Sequence, residues 1–161
     1  MKVNAIIFLL AFLLIACDEG LKPTEPEQKS FLNGTIHYKN GADNWPPEDS
    51  CFAIRVVAFK SYPPQDIIKE LSEGNAYFTI KSLPLFVDSS SFSLEISNTP
   101  VEIKYIVAAM QYTSDITAQK VVGLWSLNEN RFEPSSVFIE KGKSYSIEID
   151  VDFDSLPPQP F

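Results

Sequence analysis

Histidine and cysteine are scarce in this chain. Its 161 residues include one histidine, His37, and two cysteines, Cys17 and Cys51. A Ser–His–Asp triad needs a histidine as its base, so it could form only around His37, which we predict to be an ordinary strand residue. A zinc site normally takes three or four ligands from Cys, His and carboxylate groups, and too few are present. We therefore predict no catalytic residue, no metal site and no cofactor.

Positive charge is also scarce. Thirteen Lys and Arg residues stand against 21 Asp and Glu residues, which gives a formal charge of −8 at pH 7. Phosphate backbones would repel such a chain, so we expect no nucleic-acid partner. Anionic lipid head groups would repel it as well, so a basic patch cannot hold this protein at a membrane.

The chain has no apolar run long enough to span a bilayer. Its longest run, from Ala5 to Ala16, has about a dozen residues, whereas a spanning helix needs roughly 20. Lys2 before this run and a small residue at its end are typical of a secretory signal peptide over residues 1–16. At the cleavage point, Leu14-Ile15-Ala16-Cys17 resembles the lipobox of bacterial lipoproteins.

The lipobox resemblance implies that Cys17 is acylated and becomes the new N-terminus. The lipid would anchor the protein in a bacterial cell envelope, since each buried CH₂ contributes about 0.8 kcal/mol. Asp18 and Glu19 leave the membrane open. An Asp at this place resembles the inner-membrane retention signal of enterobacterial lipoproteins, whereas acidic residues behind the cysteine resemble the export signal of Bacteroidetes-type lipoproteins. We favour the outer membrane.

The residues after the signal peptide predict three parts. Residues 17–30 carry two prolines and four carboxylates, so we predict a flexible tether that reaches roughly 45 Å at most. A folded domain follows over 31–155, and a Pro-rich tail over 156–161. If Cys17 carries lipid, Cys51 has no partner for an intramolecular disulfide, and we predict that it is a small buried hydrophobe.

The domain reads as all-β. Strand-forming residues recur between turn signals, and one helical candidate interrupts them at 63–71. The predicted strands are 34–38, 51–59, 76–80, 92–96, 101–112, 120–125, 136–139 and 144–153. They indicate an antiparallel β-sandwich of seven to eight strands with one short helix, and the alternative is a closed β-barrel.

The start of the domain carries a second resemblance. Gly34-Thr35-Ile36, the turn at Asn40-Gly41 and the strand Ile54–Phe59 resemble the first hairpin of transthyretin-like, or carboxypeptidase-regulatory-like, β-sandwiches. The loop Trp45–Ser50 is longer than the turn usual in that family. The resemblance implies a fold and no activity.

Two aromatic residues are candidates for ligand contact. Trp45 and Tyr62 are each followed by two prolines, in the connections on either side of the predicted strand 51–59. Loops at strand ends often carry binding residues. A ring followed by proline also caps a core, so each residue has two interpretations.

Carboxylates are the remaining candidates for ion binding or catalysis. Asp150, Asp152 and Asp154 alternate along the last strand, where we predict a solvated face and not a calcium site. Asp43, Asn44, Glu48 and Asp49 share one loop that could wrap an ion.

The leading hypothesis is a non-enzymatic, lipid-anchored binding or accessory module for an envelope protein or a glycan. The alternatives are a small carboxylate-dependent hydrolase, or a glycan-binding module that uses Trp45 and Tyr62.

Overall fold

The computed structural model describes residues 28–160. The predicted signal peptide, Cys17, the tether up to residue 27 and the last residue of the tail lie outside the described residues. Within this range the fold is almost entirely β with one short helix, as predicted. The strands are β1 Ser30–Tyr38, β2 Ala53–Phe59, β3 Ala76–Phe78, β4 Ser89–Ile96, β5 Val101–Ile103, β6 Tyr105–Gln111, β7 Gln119–Leu124, β8 Val137–Ile139 and β9 Ser144–Val151. The helix α1 spans Ile67–Ser72, and 3₁₀ turns span Gly41–Asn44 and Glu48–Ser50.

Seven of these strands form one sheet in the order β3-β2-β6-β7-β9-β1-β4, and β5 pairs with β8 separately. Neighbouring strands are antiparallel, except that β1 and β9 are parallel. β7 and β9 pair only through Gly123 and Val151, so the sheet folds there into two layers. The result is a nearly closed sheet, which combines the layers of the predicted sandwich with the continuity of the alternative barrel.

The sequence run 101–112, predicted as one strand, is two strands in the structure. The run breaks at Lys104, so the described range has nine strands and not seven to eight. Ile103 packs in the inner core, whereas Tyr105 packs on the outer face. In an uninterrupted strand these residues would share one face. The break lets β5 pair with β8 while β6 stays between β2 and β7.

The inner core lies between the two layers. On β9, Ile147, Ile149 and Val151 are buried there, and Glu148 and Asp150 face solvent, as the alternation predicted. Cys51 is buried at the edge of this core, with its Sγ 3.3 Å from the Sδ of Met110, and burial raises the pKa of its thiol. The prediction of a small buried hydrophobe is confirmed for this residue.

A second apolar cluster covers the outer face of β2, β6 and β7. Ile67 and Leu71 of α1 pack against it, so β2 is buried on both faces. For this reason both odd- and even-numbered residues of β2 are mostly apolar. The helix is shorter than the predicted 63–71 and begins at Ile67. Its N-cap is Asp66, whose Oδ1 accepts the Lys69 N–H at 2.8 Å.

The C-terminal tail packs against β7. Its Gln159 side chain accepts the Val121 N–H at 2.8 Å and donates to the Val121 carbonyl at 3.0 Å. These backbone groups have no strand partner there because β9 diverges from β7. The Gln159 amide therefore satisfies the two Val121 backbone groups that a neighbouring strand would otherwise bond, which a proline-rich backbone cannot do.

Candidate functional site

Trp45, one of the two predicted ligand contacts, points into the end of the core. Its ring lies 4.4 Å from the ring of Tyr38 and 5.2 Å from those of Phe86 and Phe153, centroid to centroid. Its indole Nε1–H donates to the Val87 carbonyl at 3.0 Å. The half-buried ring contacts three aromatic rings and uses its donor inside the domain, which favours the capping interpretation.

Tyr62, the other predicted contact, is 51% exposed. Its ring packs at a tilt of 43° against the ring of buried Tyr105, 4.9 Å away centroid to centroid, on the outer cluster. Trp45 contacts the inner cluster, so the two rings share no neighbour and do not form one site. The structure leaves Tyr62 as the ring of this pair that a ligand can cover.

The structure brings His37 together with two of the acidic residues. His37 lies opposite Asp150 in the β1–β9 register, and both line a groove of about 310 Å³ with Lys39, Arg131 and Asp152. Asp152 is only 4% exposed, so its predicted place on a solvated face is wrong. The chain turns out of the ladder after Val151, which directs the next side chain toward two cations.

The environment of Asp152 is that of a structural ion pair. Its Oδ2 accepts from Lys39 Nζ at 2.6 Å and lies 3.5 Å from Arg131 Nη2, and its Oδ1 accepts the Asp154 N–H. The hydrogen bond from Lys39 holds the pKa of this carboxyl below its ordinary value, although burial opposes the shift. Asp152 therefore stays ionised at neutral pH and joins β1, β9 and the loop that carries Arg131.

The other candidate ion site is the loop that carries Asp43, Asn44, Glu48 and Asp49. Asn44 Nδ2 donates to Asp154 Oδ2 at 3.3 Å, so the side chain of this loop residue is hydrogen-bonded to a carboxylate that follows β9. No group of three His, Cys, Asp or Glu residues that could hold a metal ion occurs within residues 28–160.

The free edge of β4 presents unpaired backbone groups. In an antiparallel pair, opposite residues alternate between those that exchange hydrogen bonds and those that do not. The Tyr38 N–H donates to the Asp88 carbonyl at 3.0 Å, and these residues are opposite one another in the β1–β4 register. Every second residue from Asp88 onward along β4 is oriented in the same way, so Phe92 and Leu94 direct their N–H and C=O groups to β1. The groups that point to the free edge belong to Ser91, Ser93 and Glu95.

A second segment faces this edge without pairing to it. Residues 78–83 follow β3 and stay on β2 through irregular bonds: Thr79 Oγ1 accepts the Val56 N–H at 3.1 Å and Ser82 Oγ accepts the Ile54 N–H at 3.2 Å. The Thr79 and Leu83 N–H groups donate to the Val56 and Ile54 carbonyls, so side-chain oxygens replace only the acceptors of a regular strand there. The two edges of the nearly closed sheet are therefore separated by an open cleft, which we call the β4 cleft.

Hydrogen bonds join the two edges beyond each end of the β4 cleft. Tyr77 Oη donates to the Ser97 carbonyl at one end, and Ser90 Oγ donates to the Pro84 carbonyl at the other. The volume between them is about 510 Å³. A strand fills roughly 3.4 × 4.8 × 10 Å per residue, so this space takes about three residues of extended chain. Its lining residues are Phe78, Thr79, Ile80, Lys81, Ser82, Leu83, Ser91, Phe92, Ser93, Leu94 and Glu95.

The sequence pattern predicts β4 but not its position at the edge of the sheet. The alternation at 92–96 shows a strand with one buried face, and nothing local shows which strands become its neighbours. The serines at 89, 91 and 93 are the available signal, because an exposed strand face without lysine, proline or a bulge is uncommon at a sheet edge.

No family model, curated protein or solved structure matches this chain. Within residues 28–160, no helix is both long and apolar enough to span a bilayer.

Proposed function

We propose that this protein is a lipid-anchored, non-enzymatic binding module of a bacterial cell envelope, and that its domain captures an extended segment of another protein along β4. The observation that carries the proposal is the β4 cleft, where unpaired backbone groups face an open space. A backbone edge of this kind recognises another extended chain, which supplies matching N–H and C=O groups.

The opposite wall favours one strand over a whole sheet as the occupant. Residues 78–83 stand across the cleft from β4, so a second folded sheet edge would meet this wall before it reached Ser93. A single extended segment fits between them. The same wall explains how a regular eight-residue edge strand exists without edge-to-edge aggregation.

The side chains of the cleft define the bound segment. Phe92 and Leu94 form its apolar floor together with Leu83, so an inward-facing side chain of the ligand is apolar. Neighbouring side chains of the ligand point outward, where Lys81 and Glu95 lie at the rim. Because the chain carries a formal charge of −8, basic residues on either side of the bound segment strengthen association.

Replacing Ser93 with proline tests the cleft. The probe is a synthetic pentapeptide, Lys-Val-Thr-Val-Lys, whose three central residues match the length of the cleft. Ser93→Pro removes an N–H that points into the cleft and is not used by β1, so we expect the domain to fold and the affinity for the peptide to fall about tenfold. Calorimetric titration gives the affinity, and hydrogen exchange reports which amides the peptide protects.

The matched control is Ser93→Ala, which keeps the N–H and should bind within about twofold of the unmodified protein. Peptide binding should slow exchange at Ser93 and at one neighbouring free-edge amide, Ser91 or Glu95, and leave the already bonded amides of Phe92 and Leu94 unchanged. Equal affinities for the proline and alanine variants, or protection elsewhere only, would show that the ligand does not add to β4.

Replacing Cys17 with serine tests the anchor. The lipobox in the sequence supports acylation of this residue, and serine lacks the thiol that the lipid donor alkylates. We expect fractionation of cells to move Cys17→Ser from the membrane pellet to the soluble fraction. Cys51→Ala is the control, because it also removes one cysteine and should leave the protein in the pellet. Retention of Cys17→Ser in the pellet after a salt wash contradicts the lipid anchor.

A further inference from the structure

A second groove lies on the outer face of the sheet, beside α1. It has a volume of about 230 Å³, and its walls are almost entirely apolar. Ile116 is 66% exposed at its mouth and Ile80 is 84% exposed, so large aliphatic side chains are left in water. The lining residues are Arg55, Val57, Ile67, Leu71, Phe78, Ile80, Ala109, Ile116 and Gln119.

Arg55 is the charged residue of this groove. It is half-buried on β2, opposite Ala109 of β6, with Val57 two residues further along the same face. Its side chain forms no hydrogen bond or ion pair with any part of the chain that the structure describes. No carboxylate of the described residues pairs with this guanidinium, so a ligand anion that enters the apolar groove can take that place.

Charge and shape together define the ligand. A guanidinium binds a carboxylate through two parallel N–H···O bonds, and an apolar channel takes a hydrocarbon chain. The volume is below the 300–1,000 Å³ usual for drug-sized molecules, so the hydrocarbon part is slim. We propose that this groove, which we call the acyl groove, binds one free fatty acid, with its carboxylate on Arg55 and its single acyl chain along Val57, Ala109 and Ile116.

This site is separate from the β4 edge. The two clefts share the side chains of Phe78 and Ile80 as a common wall, but Arg55 and Ile116 line only the acyl groove, and Ser93 lines only the β4 cleft. Variants at Arg55 or Ile116 therefore test the fatty-acid site without changing the edge of β4.

The experiment titrates decanoate into the full chain carrying Cys17→Ser, below the micelle concentration, and follows the isoleucine methyl groups by NMR. We expect saturable shifts at Ile116 and Ile67. Octanoate should bind roughly fifteenfold more weakly than decanoate, because it buries two fewer CH₂ groups. Decanol, which lacks the carboxylate, should bind about tenfold more weakly than decanoate.

Variants assign the two halves of the ligand. Arg55→Gln should lower decanoate affinity about tenfold and abolish the preference over decanol, whereas Lys141→Gln, the same charge change on an exposed turn, should leave both unchanged. Ile116→Ser should weaken both ligands, and Leu127→Ser, at a residue that is 77% exposed in another loop, should weaken neither.

Three results would overturn the proposal: equal affinity for decanoate and decanol, an Arg55→Gln variant that binds as the unmodified protein does, or methyl shifts that appear only with phospholipid vesicles. The last would identify a bilayer surface as the occupant of the groove. None of these results alters the expectation for Ser93 and the peptide, so failure of one proposal is distinguishable from failure of the other.

Discussion

Gly34→Ala should destabilise the domain by about 3 kcal/mol or more, as a shift of the urea unfolding midpoint. Gly34 lies in the middle of β1, between β4 and β9. A Cβ at this position would overlap the Ile147 carbonyl oxygen and lie 2.7 Å from Cζ of Phe92. The Ile147 oxygen belongs to the backbone of the neighbouring strand, so relief requires β1 and β9 to separate. That separation also disturbs the layer that carries β4.

Gly74→Ala is the matched control for this substitution. Gly74 has a φ of 70° in the turn after α1, and an added Cβ there meets no atom within 4 Å. The cost is the left-handed backbone alone, about 1–2 kcal/mol. Equal midpoints for the two variants would mean that β1 and β9 accommodate the methyl group, and the close approach at Gly34 would then carry no stability.

Trp45→Ala should lower the free energy of unfolding by about 3 kcal/mol in the absence of any ligand. The substitution removes three ring contacts and the hydrogen bond to Val87, and it opens the end of the inner core. Trp45→Phe keeps a ring and loses the donor, so about 1 kcal/mol is expected from that variant. Chemical denaturation followed by circular dichroism measures both.

Tyr62→Ala provides the comparison for Trp45. Its exposed ring has one aromatic contact, with Tyr105, so its removal should cost about 1 kcal/mol or less. If Trp45→Ala proved no more destabilising than Tyr62→Ala, the capping role of Trp45 would be refuted and its ring would return as a ligand contact. The opposite order leaves Tyr62 as the aromatic residue for a test with polysaccharides.

The cleft and the groove make different demands on a ligand. The β4 cleft offers backbone groups and accepts about three residues of extended chain, whereas the acyl groove offers one guanidinium and apolar walls. Both are bordered by the segment 78–83, which bonds to β2 through Thr79 and Ser82 and leaves Ile80 in solvent. The two surfaces therefore differ in the ligand chemistry that each can accept.

Several features of this fold follow from local pattern. Alternation of Ile147, Ile149 and Val151 with polar residues places one face of β9 in a core, because successive side chains of a strand point to opposite sides. The apolar run at 53–59 likewise indicates a strand that is covered on both faces. These inferences need only the period of the chain and the cost of leaving apolar side chains in water.

The remaining features depend on residues far apart in the chain. Asp152 is buried because Lys39 and Arg131 come to it from other elements, and Ser93 has a free edge because β4 is the last strand of the sheet and β3 does not close onto it. The break at Lys104 changes which face is buried. Strand order is set by the packing of the whole sheet, and the period of one strand carries no information about its neighbours. The acidic composition and the resemblance of residues 14–17 to a lipobox depend on residue identity alone, whereas the β4 cleft exists only where the two ends of the folded sheet meet.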